Sequence, residues 1–367
     1  MIYFDHSATT PIRPEVLEQM NIVNRDHFAN PSSIYKTGRK SRNLIEKARF
    51  QIATAIGANS DQIYFSSGGT EANNQVLWTI ANQKNKHVII SSVEHPAISK
   101  VLEKIKPHGL ETSTISVDNK GIVLTNELIN LIRPDTGLIS IMLANNEIGS
   151  IQPIKEIRQK IYNHNIFLHT DAVQALGKIK IDVNELGIDY LSLSAHKFYG
   201  PKGVGALFVK NKKNIKSLII GGEQENGLRG GTENIAGIVG MGLAAELAIK
   251  DQNTCVTKLK KLEKHFLNNL KEHIPSAKHN KTNNLPGLIS ISFPGNKSNI
   301  LMAKLDRASI AVSNGSACNT GNIKPSKVLK AIGLDDDINL STLRISFGKD
   351  NTIGEVDFLI KTLIEIL

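Results

Sequence analysis

The chain has 367 residues, 40% hydrophobic but only 5% aromatic, which exceeds one small core and suits one large domain with a smaller companion. Its formal net charge is +10, yet the lysines and arginines are scattered without a compact basic run, so nucleic acid is not an expected direct partner. No stretch approaches the ~20 apolar residues of a membrane span, the start Met1-Ile-Tyr-Phe-Asp5 lacks signal-peptide features, and two distant cysteines form neither a disulfide framework nor a zinc site; a reducing cytoplasm is the expected location.

In chain order, Tyr3-Phe-Asp-His-Ser-Ala-Thr-Thr10 reads as a strand running into a polar turn closed by Pro11. Asn30-Pro-Ser-Ser-Ile-Tyr-Lys-Thr-Gly-Arg39 is a capped loop entering a helix from Arg39, and residues 41–56 carry a helical pattern. A strand at residues 62–65 feeds Ser66-Ser-Gly-Gly-Thr-Glu-Ala-Asn-Asn74, where a helix begins near Thr70. Amides at a helix start, with the dipole behind them, bind phosphate; Thr70 is equally a competent cap. A strand at residues 86–90 precedes Ser91-Ser-Val-Glu-His-Pro96, which puts His95 at a strand end before a rigid proline. By itself such a histidine is a structural hydrogen-bonding residue.

The next strand, residues 137–142, ends in the glycine-closed turn Leu143-Ala-Asn-Asn-Glu-Ile-Gly149. A further one, residues 166–170, runs into His169-Thr-Asp-Ala-Val-Gln-Ala-Leu-Gly177, where Asp171 and Gln174 can face one ligand. Helices alternating with short apolar strands predict an α/β fold with a mostly parallel sheet. Ser192-Leu-Ser-Ala-His-Lys-Phe-Tyr-Gly-Pro-Lys-Gly203 lies between apolar runs at 188–194 and 204–209, so Lys197 sits on a connection between strands. A lysine in a glycine-rich turn is ordinarily solvated; Ser194 and His196 beside it, and the Asp171 and Gln174 pair upstream, argue for a placed amine.

Gly227-Leu-Arg-Gly-Gly-Thr-Glu-Asn234 is a glycine-rich loop before an Ala/Gly-rich helix at residues 235–247. A lysine-rich helical stretch at 250–264 leads into the second domain, giving a large domain of residues 12–250 and a small one of residues 1–11 and 251–367. Cys255, on a helix, reads as buried and inert. Cys318, within Val312-Ser-Asn-Gly-Ser-Ala-Cys-Asn-Thr-Gly321, sits among small polar residues, which predicts an exposed thiol on a segment able to move. Ser341-Thr-Leu-Arg-Ile-Ser-Phe-Gly348 is a strand with one buried-pattern arginine, costly unless an anion meets it; a bidentate fork suits an α-carboxylate.

These segments, in this order from Asp5 to Gly348, resemble the cysteine desulfurases, fold-type I pyridoxal-phosphate enzymes of the class V aminotransferase family. The resemblance implies a large domain with a mostly parallel central sheet plus a smaller α/β C-terminal domain. It also implies pyridoxal 5'-phosphate joined to Lys197 as a Schiff base. In the family's pattern Asp171 pairs with the pyridinium nitrogen, His95 stacks on the ring and helps move protons, and Asn146 and Gln174 meet the ring hydroxyl. Gly69, Thr70, Ser194 and His196 take the phosphate, and Thr232 completes the phosphate site of the neighbouring subunit in a homodimer. Arg344, with Asn146, binds L-cysteine. His6, Ser7 and Tyr35 depart from the family pattern and carry no role.

Asn314-Gly-Ser-Ala-Cys318 is similar to the Ser-Gly-Ser-Ala-Cys of the family's first group, and the Arg-x-Gly-His-His-Cys pattern of the second is absent. The resemblance therefore implies that Cys318 takes sulfur from L-cysteine as a persulfide, leaving L-alanine. A sulfur-acceptor protein then receives it, an iron-sulfur scaffold or a tRNA-thiolation enzyme. A selenocysteine lyase or an aminotransferase of the same fold is the alternative; the lyase could do without the persulfide, and the aminotransferase needs no such thiol.

Overall fold

The computed structural model describes residues 1–280, 284–314 and 324–367. Among the described residues the strands are β1 (Ile2–Tyr3), β2 (Ile63–Ser66), β3 (His87–Ser91), β4 (Glu111–Ile115), β5 (Thr136–Ser140), β6 (Phe167–Asp171), β7 (Tyr190–Ser194), β8 (Gly205–Val209), β9 (Lys278–His279), β10 (Leu288–Ser292), β11 (Ile310–Ala311) and β12 (Thr342–Ser346). Seven of them form one sheet in the order β2-β8-β7-β6-β5-β3-β4. Only β8 runs against the others, so the predicted mostly parallel α/β sheet is present.

Every residue of β3, β5, β7 and β8 is buried, as in sheets covered by helices on both faces. Successive side chains point to opposite faces. Ile89, Ile139, Leu168 and Leu191 accordingly pack in one core with the helix Lys36–Ile56, and Val88, Ile90, Leu138 and Tyr190 in another with the helix Gly69–Ala81. The first of these helices begins at Lys36, ahead of the expected Arg39, and stops at Gly57, whose φ of 70° suits glycine.

The C-terminal part builds a separate core around Phe4, Phe266, Ile291, Phe293, Leu343, Ile345, Phe347 and Leu359. Its strands are the antiparallel set β12-β10-β9 and the parallel pair β1-β11. Single bridges join Asp5 to Ser346 and Ser313 to Arg344, which brings the N-terminal segment against β12. Ligands of open α/β sheets collect at the carboxyl ends of parallel strands. β2, β3, β5, β6 and β7 all lead there into the loops that carry the candidate residues.

Candidate active site

β7 hands over to a 3-10 turn, Ala195–Lys197. The Lys197 Nζ donates to the carbonyls of Ser7 at 2.6 Å and Ala8 at 2.7 Å. Burial lowers its pKa to about 7, helped by the cations of Arg344 and Lys178 and opposed by Asp5 and Asp171. The lysine is thus placed, and its amine sheds its proton near neutrality. Next to it the His196 Nδ1 pairs with Thr9 Oγ1 at 3.1 Å, and burial, with Lys197 and Lys202, lowers its pKa to about 4, so the ring is neutral.

β6 ends on Asp171, which is 6% exposed. Asn73 Nδ2 donates to one of its oxygens at 2.7 Å and the Val173 N–H to the other at 3.0 Å, which fixes the carboxylate plane. Gln174 follows on the same loop. Its Nε2 donates to the Ser7 carbonyl at 2.9 Å, while Lys178 Nζ donates to its Oε1 at 3.4 Å; the ammonium sets which end of the amide faces which way.

β2 feeds the helix Gly69–Ala81, which no side chain caps. A Cβ on Gly69 would lie 2.5 Å from Val173 Cγ2, so only glycine lets this turn approach the Asp171 loop. β3 leads to His95, the N-cap of the helix Pro96–Ile105, with proline at its first position. His95 Nδ1 accepts the Ala97 N–H at 3.1 Å, which puts the proton of the neutral ring on Nε2. Burial lowers the pKa of this histidine; Asp171 opposes the shift and Lys197 adds to it.

Past β5, Asn145 Oδ1 takes the N–H groups of Glu147 at 2.8 Å and Ile148 at 3.0 Å and so shapes the turn. The Asn146 carbonyl accepts from Arg344 Nη1 at 2.9 Å. Arg344, on β12, also donates from Nη2 to Asp5 Oδ1 at 2.6 Å, and its buried Nε has no partner. The first anion to meet this arginine is therefore a carboxylate of its own chain.

Gly69, Thr70, His95, Asn146, Asp171, Gln174, Ser194, His196, Lys197 and Arg344 all line one cavity of about 520 Å3. Thr232 does not line it and is exposed. Cys318 lies outside the described residues. Cys255, on the helix Gln252–His273, is half-buried, and burial raises its thiol pKa, which makes it a poor nucleophile. Sequence reasoning missed Asp5, Asn73, Glu147 and the carbonyls of Ser7 and Ala8. Asp5 at least lies inside a motif; backbone acceptors leave no side-chain signature.

The donor set fits pyridoxal 5'-phosphate. An uncapped helix start offers amides and a positive dipole end to a phosphate, an oriented, buried carboxylate suits a protonated ring nitrogen, and a deprotonatable amine suits an aldehyde.

Residues 2–359 match the family described as aminotransferase class-V. The chain is 43% identical over 371 residues to the cysteine desulfurase IscS of Dictyoglomus turgidum, spanning 100% of this chain and 94% of that protein. Among solved structures it is similar to a NifS-like protein, with a TM-score of 0.93 and 36% identity over 100% of this chain and 98% of that one. It is likewise similar to SspA in complex with cysteine, with a TM-score of 0.85 and 35% identity over 96% of this chain and 100% of that one.

Proposed function

The chain belongs to the aminotransferase class-V family and is a fold-type I, pyridoxal-phosphate-dependent cysteine desulfurase; from that premise we propose how its residues divide the work. Gly69, Thr70, Ser194 and His196 hold the cofactor phosphate, Asp171 the ring nitrogen, Asn146 and Gln174 the ring hydroxyl, His95 a ring face, and Lys197 the aldehyde. When bound, the cofactor supplies a carbonyl that exchanges amines and a ring that withdraws electrons from the substrate Cα.

Arg344 and Asn146 bind the α-carboxylate of L-cysteine, the guanidinium using the Nε that the protein leaves unpaired. Lys197, with a pKa of about 7, takes the Cα proton in its neutral form. Once released, its amine has the carbonyls of Ser7 and Ala8 to hold it. The Cys318 thiolate then attacks the substrate sulfur: a sulfur–sulfur bond forms and the Cβ–S bond breaks with its electron pair moving to Cβ; a proton from His95 or solvent goes to Cβ, and Lys197 returns its proton to Cα, which completes L-alanine. The persulfide on Cys318 passes to a sulfur-acceptor protein for iron-sulfur cluster assembly or tRNA thiolation.

The active unit is a homodimer in the cytoplasm. Thr232 is exposed and away from its own cavity, and Phe28, Ile34 and Ile220 are 80%, 88% and 88% exposed, apolar side chains that a subunit contact would cover. Thr232 then completes the phosphate site of the neighbouring subunit. No helix among the described residues is long and apolar enough to cross a membrane.

The observation that carries the reading is the meeting of Lys197, Asp171, His95 and Arg344 around one cavity. The experiment is alanine release from L-cysteine by the purified enzyme. Lys197→Ala should lose both alanine formation and the visible absorption of the lysine-bound cofactor. Cys318→Ala should keep the absorption and lose persulfide transfer; transfer to an acceptor at the wild-type rate without Cys318 would remove that residue from the mechanism.

A further inference from the structure

Lys178 has no part in the steps above, yet its amine is joined to that of Lys197 by an unbroken run of hydrogen bonds. Its Nζ donates to Gln174 Oε1 at 3.4 Å, Gln174 Nε2 donates to the Ser7 carbonyl at 2.9 Å, and Lys197 Nζ donates to the same carbonyl at 2.6 Å. A carbonyl oxygen has two lone pairs, and these two donors engage both. Ser7 therefore holds Gln174 and Lys197 at one point, and Lys178 acts on that point from behind.

The direction of the amide follows. With Oε1 turned to an ammonium and one Nε2 proton on Ser7, the second Nε2 proton is left to face the main cavity, which Gln174 lines. That is the proton a ring hydroxyl oxygen accepts.

A second cavity, of about 30 Å3, is lined by both amines. From the N-terminal segment it receives His6, kept neutral by burial and by Lys178 with a pKa of about 4, and Arg13, which is paired with Asp251 at 2.7 Å. Tyr199, and Cys255 on the helix Gln252–His273, also line it; burial raises both of their pKa values, so they too are neutral. Arg344, on β12, adds a like charge to Lys178 and is itself paired with Asp5. Among the described residues no carboxylate pairs with Lys178. The residue as a whole is only part-buried, so a lysine stem here could carry its amine to water; it turns inward instead. An ammonium so placed, without an ionic partner, costs stability, and the chemistry beside it gives a reason for that cost.

We propose that Lys178 is a positioning residue for proton transfer: its inward ammonium fixes the Gln174 amide and supplies the positive charge against which Lys197 gives up its proton. The inference rests on the roles given above to Gln174 and Lys197. Burial and then Arg344 lower the Lys178 pKa to about 8, with Cys255 opposing, while burial, Arg344 and Lys178 lower that of Lys197 to about 7. As pH rises Lys197 becomes neutral first, and Lys178 is still charged when it does.

The test uses the cofactor-loaded full-length enzyme and follows its visible spectrum against pH, which reads the proton on the lysine-bound nitrogen without turnover. Lys178→Met keeps the reach of the side chain and removes the charge. The spectral midpoint should rise by about 1 pH unit, the effect of losing one nearby like charge. Alanine formation near pH 7 should fall about 5-fold, as such a rise implies for the neutral fraction of Lys197, and should return towards the wild-type rate above about pH 9. The thermal midpoint should hold or rise, because an apolar side chain replaces an unpaired ammonium. Lys178→Arg keeps the charge and should leave the spectral midpoint near that of the wild type.

An unchanged spectral midpoint in a folded Lys178→Met enzyme would overturn this inference and leave the cofactor roles of Lys197 and Gln174 intact. A midpoint raised as far by Lys178→Arg would also overturn it, since the charge would then not be what acts. So would a lowered thermal midpoint with loss of rate at every pH, which would make Lys178 a structural residue. A visible band that survives Lys197→Ala would overturn the reading of Lys197 itself, and this inference with it.

Discussion

Two buried arginines, one under the glycine-rich loop and one at the cavity, are built in opposite ways. Arg49, on the helix Lys36–Ile56, donates to both oxygens of Glu225 at 2.7 and 2.8 Å, to the Ile63 carbonyl at 2.7 Å and from Nε to Glu46 at 3.1 Å. Its plane lies over the Phe65 ring, and Glu225 also takes the Phe65 N–H at 2.8 Å. No nitrogen of this guanidinium is left without a partner. Arg344 is paired only on its two Nη atoms and keeps a buried, unpartnered Nε. A saturated guanidinium has nothing to offer a ligand and holds structure together; an unsaturated one beside a cavity completes its hydrogen bonds when a carboxylate arrives.

What Arg49 secures is the loop ahead of Thr232. Glu225 and Asn226 adopt φ values of 49° and 57°, conformations that non-glycine residues hold only when their surroundings impose them. Arg229 of the same loop pairs with Glu71, in the first turn of the helix Gly69–Ala81, at 3.1 Å. The structural arginine therefore fixes the loop ahead of Thr232, while the other lies against the cavity.

The sharpest way to break this contrast is to remove one partner from the saturated pair. Glu225→Ala leaves Arg49 buried and uncompensated, and the expected loss is about 3–5 kcal/mol of unfolding free energy, read from denaturant midpoints. A loss near zero would mean that Arg49 is not the structural member of the comparison.

The complementary experiment removes the fork of the other arginine. Arg344→Lys keeps the charge beside Asp5 but cannot present two parallel donors. The kcat/KM for L-cysteine should fall about 10- to 100-fold, corresponding to a charged hydrogen bond worth roughly 1.5–3 kcal/mol, with the denaturation midpoint close to wild type. Equal damage to stability and kcat/KM would erase the distinction.

The sequence carries these two arginines unequally. Arg344 stands out because it interrupts an apolar strand; the anion that meets it in the structure, Asp5, is 339 residues away and leaves no local pattern. Arg49 hides on the polar period of a long helix, and its partner sits in what reads as an ordinary glycine-rich loop. The same split runs through the cavity. Lys197, Asp171, Gln174 and His95 are legible because each closes a strand with a short motif, and the strands deliver them to one edge. Asn73 behind Asp171, Lys178 behind Gln174, and the carbonyls of Ser7 and Ala8 under Lys197 are set by tertiary approach, to which periodicity and motif spacing are blind.

The smallest expected effect concerns how Asp5 links Arg344 to Lys197. In the wild type, alanine formation should rise with pH through about 7 as Lys197 loses its proton, because only the neutral amine accepts one from Cα. The Asp5 charge favours protonated Lys197 and so holds this pKa up, whereas Arg344 pushes it down. Asp5→Asn removes a negative charge near the ammonium; the Lys197 pKa should fall further, and the acid limb of the pH profile should move below 7. The variant also leaves the positive charge of Arg344 uncompensated, so the KM for cysteine should fall or hold steady rather than rise. An acid limb displaced towards higher pH would show that Asp5 acts on Lys197 chiefly through the position of Arg344 and not through its own charge.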